Sequence, residues 1–123
     1  MLQVNRVKRY WLVLSRGLLS LAVRAGVVSK PDFGLVTVDD NPEASAMAKD
    51  ILYMVTSEQW PKWADFKCPC GCGDVISISI AQGRQSWNLT CDVLGRPTLH
   101  PSVWRKAACK SHFWLKHGKV IWC

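Results

Sequence analysis

The chain has 123 residues, 49% of them hydrophobic, with seven tryptophans, six cysteines and a formal charge of +7. That length accommodates one domain with one modest core, to which a structural metal could add folding free energy. Arg6, Lys8, Arg9, Arg16, Arg24 and Lys30 all precede the first acid, Asp32, and the ten basic and nine acidic residues that follow nearly cancel. The excess charge therefore sits in the N-terminal segment, which argues against the whole chain being a nucleic-acid binder.

Residues 4–25 read as a helix. Val4, Val7, Trp11, Leu14, Leu18, Leu21 and Ala25 recur at alternating steps of three and four and form one stripe. Gly26 suits the C-terminal cap and Pro31 a stop beyond it. Arg16 and Arg24 interrupt the apolar run, so the segment suits neither the h-region of a signal peptide nor a transmembrane span. The thiols are then expected to be reduced, in the cytoplasm, where metal binding is favoured over disulfides. The helix could pack on the domain's own sheet, pair with a partner or with itself, or lie as a basic amphipathic helix on an anionic membrane surface. Its polar face lacks the dense basic cluster and the aromatics of a nucleic-acid arm.

A domain over residues 32–123 follows this extension over residues 1–31. Leu35 to Val38 reads as a short strand, Asp39 to Pro42 as a turn, and Glu43 to Lys49 as one or two helical turns. Ile51 to Thr56 reads as a buried strand, Ser57 to Pro61 as a loop, and Trp63 to Phe66 as a strand leading into Cys68. Val75 to Ile80 alternates a buried isoleucine face with a wetter serine face, and Ser86 to Cys91 is expected to pair back on it as a hairpin. Thr98 to Trp104 reads as short and irregular, with Ser102 capping a brief helical turn before Cys109. His112 to Leu115 and Lys119 to Trp122 form a final hairpin about His117-Gly118. The expected fold is α+β: the N-terminal amphipathic helix plus a small, mainly antiparallel sheet whose loops hold a metal.

The densest chemistry is Cys68-Pro69-Cys70-Gly71-Cys72-Gly73, with Cys109-Lys110-Ser111-His112 as a second half. Alternate thiols on a bent backbone pair poorly as disulfides but converge readily on one ion. Cys68, Cys70, Cys72, Cys109 and His112 are thus the candidate ligands, five for four positions. Thiolates with one imidazole suit a closed tetrahedral Zn²⁺ site, and a 2Fe-2S cluster is the alternative cofactor. No H-x-E arrangement accompanies the thiols, so a structural site is expected in preference to a catalytic one. Ser102 and His112 are read as a cap and a ligand, not as a nucleophile and its base. Cys91 is expected in a buried strand, Trp87, Trp104, Trp114 and Trp122 in the core, and His100 and His117 in solvated turns. Trp60 and Trp63 flank a loop and are the expected contact surface for a protein partner.

From about Ile51 to Trp122 the chain resembles a family of small bacterial and phage-borne domains to which no activity is assigned. The resemblance rests on Trp63 to Gly73, on Trp87, on Thr98 to Val103, on Cys109 to Trp114 and on Gly118 to Trp122. It implies a zinc-binding domain. Some members of that family are encoded beside ubiquitin-like conjugation components of antiphage type, which implies an accessory or E3-like role. Beside it stand the readings from the residues themselves: a zinc-stabilised module that binds or adapts proteins, or an iron–sulfur redox domain.

Overall fold

The computed structural model describes residues 17–26, 30–81 and 86–123. Two four-stranded sheets face one another across one core. The first contains β1 (Gly34–Val38), β2 (Ile51–Ser57), β3 (Trp60–Lys67) and β4 (Val75–Ser79), in that spatial order. β1 runs parallel to β2, and the β2/β3 and β3/β4 pairs are antiparallel. The second sheet contains β5 (Asn88–Cys91), β6 (Pro97–Trp104), β7 (His112–Lys116) and β8 (Lys119–Trp122), all antiparallel and in chain order.

The alternation of Val75 to Ile80 works as its pattern predicts: Ile76 and Ile78 are buried and Ser77 is exposed. Leu35, Leu52, Ala64 and Phe66 join them from the first sheet, and Leu99, Val103, Phe113 and Leu115 from the second. Phe66 bridges the layers edge-on, 5.5 Å from the Phe33 ring and 6.3 Å from the Phe113 ring. The hairpin about His117-Gly118 forms as expected. Gly118 accepts hydrogen bonds from the Asp32 and Phe33 backbone N–H groups and has φ +75°, so this turn also fastens the approach to β1. A Cβ there would lie 2.8 Å from the Phe33 carbonyl oxygen, leaving glycine as the residue that fits.

Several sequence expectations are corrected. Ser57 to Pro61 is no long loop: Glu58 and Gln59 alone turn the chain, both at positive φ (51° and 71°), and Trp60 and Pro61 already belong to β3. Such a turn is usually announced by Asn-Gly, and here neither residue is glycine. β5 does not pair along β4. Among the described residues the approach to β5 meets β4 through the Trp87 N–H, which donates to the Ser79 carbonyl at 2.8 Å, and the chain then crosses into the second sheet to pair with β6. Thr98 to Trp104 belongs to a full eight-residue strand rather than an irregular stretch, and Ser102 caps no helix. The register of that strand shifts between Leu99 and Val103, which accommodates Pro101, a residue with no N–H to give a ladder. Trp104 and Trp122 are exposed rather than in the core, Trp87 and Trp114 are half-buried, and Cys91 is exposed on edge strand β5.

Residues 17–24 are helical, and Gly26 closes the helix at φ +73°. Leu18 and Leu21, both on the predicted apolar stripe, are 49% and 63% exposed. The remainder of the helix predicted over residues 4–25 lies outside the described residues. Among the described residues no helix is long and apolar enough to cross a membrane. The architecture is α+β, with two mostly antiparallel sheets and a loop-built cysteine cluster.

Candidate functional site

The β3–β4 hairpin carries three of the thiols. Cys68 follows the last residue of β3 and is buried, and its N–H donates to the Asp74 carbonyl to close the turn. Gly71 and Gly73, at φ 90° and 86°, let the chain reverse so tightly that Cys70 and Cys72 point back toward Cys68. The fourth thiol, Cys109, comes from the β6–β7 connection. That connection is closed by a bond from the Arg105 N–H to the Ser111 carbonyl at 2.8 Å. Cys68 Sγ lies 3.3 Å from Cys70 Sγ and 3.6 Å from Cys109 Sγ, and all four sulfurs fall within 4.8 Å of one another. The edge of a tetrahedron with ~2.3 Å metal–sulfur bonds is about 3.8 Å, so the four thiols can hold one metal ion.

The surroundings favour thiolate. Arg105 Nη1 donates to Cys109 Sγ at 3.1 Å and to Cys72 Sγ at 3.5 Å, while Nη2 donates to Asp74 at 3.1 Å. Contact with Cys68 and Asp74 in turn raises the basicity of this guanidinium, fixing its charge. The Cys72 N–H donates to Cys70 Sγ. Hydrogen bonding from Ser111, its hydroxyl first and then its backbone, lowers the Cys109 thiol to about 6.

Of the five residues proposed as ligands, the structure brings four together and leaves His112 outside. His112 opens β7 on the outer face, and its Nε2 lies 3.0 Å from Ser102 Oγ on β6. The register explains the meeting. Trp104 stands opposite His112, Ser102 is two residues back on the same face, and the register shifts between Leu99 and Val103. Trp104 lies flat on the imidazole, with centroids 5.3 Å apart and planes at 20°. Both Ser102 and His112 are half-buried, open to the face of the second sheet that points away from the core. With the imidazole proton on Nδ1, Nε2 can accept the Ser102 proton. That is the elementary geometry of a serine nucleophile with its general base.

Sequence reasoning sets this pair aside, reading Ser102 as a cap and His112 as a ligand, whereas the structure brings the two side chains within hydrogen-bond distance. Ser102 and His112 are ten residues apart, and nothing in the spacing shows that one connection folds them side by side. The same connection unites both features: Ser102 precedes it, Cys109 lies within it, and His112 ends it. Ser111 Oγ is 3.1 Å from Cys109 Sγ and 3.7 Å from Cys68 Sγ, so the residue beside His112 is anchored in the thiol cluster.

Elsewhere, Asp92 accepts from the Leu94 and Arg96 N–H groups, from Arg96 Nε at 2.7 Å and from His117 Nδ1 at 3.0 Å. Buried Asp65 accepts from Asn41 and Ser77, both at 2.6 Å. Asp92 is a side-chain clasp across turns, and Asp65 binds its cross-strand partner Ser77 on β4 and the loop residue Asn41. Trp60 and Trp63 are exposed, as expected for a contact surface.

No curated protein and no solved structure matches the chain. The model of one protein family does match it, over residues 37–123, which takes in β2 to β8, the four thiols and the Ser102–His112 pair. The chain belongs to that family, the bacterial ubiquitination-like system serine protease BubE.

Proposed function

We propose that the chain is a serine protease that cuts an amide bond in a component of a bacterial ubiquitination-like system, with Ser102 as nucleophile and His112 as general base. The observation that carries this reading is the 3.0 Å approach of Ser102 Oγ to His112 Nε2 on an open sheet face; the family description agrees with it. His112 Nε2 takes the Ser102 proton as Oγ attacks the scissile carbonyl. The imidazolium then returns that proton to the leaving amine as the C–N bond breaks, leaving an acyl ester on Ser102. Water, deprotonated by His112, hydrolyses the ester and restores the serine.

The cysteine cluster serves this reading as a structural site. An all-thiolate set of four within bonding reach of one centre suits Zn²⁺, with Cys68, Cys70, Cys72 and Cys109 as ligands and Arg105 offsetting their negative charge. Bound zinc would tie the β6–β7 connection to the β3–β4 hairpin; the proton transfers belong to Ser102 and His112. The chain works against other proteins, and exposed Trp60 and Trp63, or the basic N-terminal segment, support a further contact with them.

A fluorophosphonate probe tests the reading. It should form one adduct per chain, located at Ser102 by mass spectrometry, and Ser102→Ala should abolish it. His112→Ala should slow labelling by about 10³-fold or more. Labelling of another serine, or undiminished labelling of the His112 variant, would overturn the assignment.

A further inference from the structure

Charge along the chain is divided between the two sheets. Residues 32–79, which build the first sheet, hold eight acidic and three basic side chains. Residues 93–123, which build β6 to β8, hold six basic side chains and no Asp or Glu. Three of the six are engaged: Arg96 with Asp92, Arg105 with Asp74, and Lys119 with the Lys30 carbonyl. Lys106, Lys110 and Lys116 are exposed and have no carboxylate partner among the described residues.

Two of these lysines are placed alike. Lys106 Nζ lies 5.1 Å from the centre of the Trp104 ring, and Lys116 Nζ lies 5.1 Å from that of Trp114. Trp104 stacks on His112, and Trp114 follows His112 by two residues on the same strand face, with His100 5.7 Å from its ring. The Ser102–His112 pair thus lies on an outward strip with an indole and an ammonium on each side. Trp104 is 59% exposed, and Ile121, opposite Trp114 on β8, is 47% exposed. An indole face with an adjacent ammonium receives an aliphatic stem that ends in a carboxylate: the ring packs the methylenes and the ammonium meets the charge.

We propose that the outer face of the second sheet is the docking surface for an extended polypeptide segment carrying Asp or Glu side chains on both sides of the bond presented to Ser102. The proposal rests on the catalytic reading above for the position of that bond. Charge complementarity selects an acidic occupant. The placement of both ammoniums on indoles along one sheet face selects a polypeptide over a nucleic acid, whose phosphates need no aliphatic packing.

Binding tests this independently of turnover. Ser102→Ala protein spanning residues 1–123 and loaded with zinc is titrated into fluorescein-labelled peptides of about eight residues, the length that spans the strip. The peptides carry Glu, Gln or Lys at the same positions, and affinity is read by fluorescence anisotropy at about 50 and about 300 mM salt. The Glu peptide should bind about three- to tenfold more tightly than the Gln peptide at low salt, with the difference shrinking at high salt. Lys106→Glu with Lys116→Glu should remove that preference. Lys49→Glu with Lys62→Glu, the same charge change on the first sheet, should keep it. Equal binding of Glu and Gln peptides would overturn the proposal. So would loss of the preference in both double variants, or tighter binding of a single-stranded oligonucleotide of equal charge. Because the protein used is inactive, failure here leaves the fluorophosphonate result standing, and failure there leaves this result readable.

Discussion

At the scale of single residues, the pair on the outer sheet face depends on a neighbour that is neither acid nor base. Among the described residues no carboxylate bonds the His112 ring, whereas the Trp104 indole lies flat against it at 5.3 Å. A stacked indole restricts the rotation of the imidazole and so holds Nε2 at the hydroxyl, the work that a carboxylate performs in a Ser-His-Asp triad. Trp104 is exposed, so its removal opens no core cavity. Trp104→Ala should therefore slow fluorophosphonate labelling of Ser102 by about tenfold with the melting temperature nearly unchanged, and Trp104→Phe should restore most of the rate. Equal rates for Ala and Phe would show that the stack positions nothing.

Among the elements, the β6–β7 connection carries the most consequence. Short and closed by the Arg105–Ser111 backbone bond, it sets how Ser102 on one strand meets His112 on the next. Its tip is held by Cys109, whose partners all lie on the β3–β4 hairpin of the opposite sheet. The connection is therefore defined only where the two hairpins are tied together. Cys109→Ser should lose the bound metal, lower stability by several kcal/mol and slow labelling of Ser102, whereas Cys91→Ser should keep the full metal content. Elemental analysis with thermal melting reads both variants. One zinc per chain in a colourless wild-type solution accords with the structural site, while iron with visible absorbance would replace zinc by an iron–sulfur cluster. Full metal and full stability in Cys109→Ser would refute the four-thiol set.

On the scale of the whole molecule, the sandwich is fastened at one end by clasps between distant turns. Asp92 holds the β5–β6 turn to His117 in the β7–β8 turn, and the Gly118 carbonyl of the latter holds the segment leading into β1. Burial pushes the Asp92 carboxyl up, but hydrogen bonds from the Arg96 backbone and side chain and from His117 outweigh it and keep the group below its ordinary value of 3.8. A depressed carboxyl stabilises the fold above its unfolded value, and that contribution is lost as pH falls through the folded one. Asp92→Asn should thus cost about 1–2 kcal/mol at neutral pH. The difference between variant and wild type should vanish as pH drops below 3.8 toward acid unfolding, as followed by circular dichroism.

The sequence by itself determined the local elements and the thiols. The isoleucine–serine alternation of β4, the hairpin about His117-Gly118 and the chain reversal at Gly71 and Gly73 each follow from a period of two or from a backbone conformation reserved to one residue type. The four thiols that the structure brings together were legible as a cluster for the same reason, since clustered cysteines have few other uses. The tertiary structure alone decided which strands share a sheet, why β5 leaves β4 for β6, and where His112 belongs. Beside Cys109 in the chain, His112 reads as a ligand, but strand alternation sends its ring to the outer face while Cys109 turns inward to the thiols. The same pairing that sets its ring apart from the four thiols brings it to Ser102. Register between strands is set by long-range packing, and no local spacing records it.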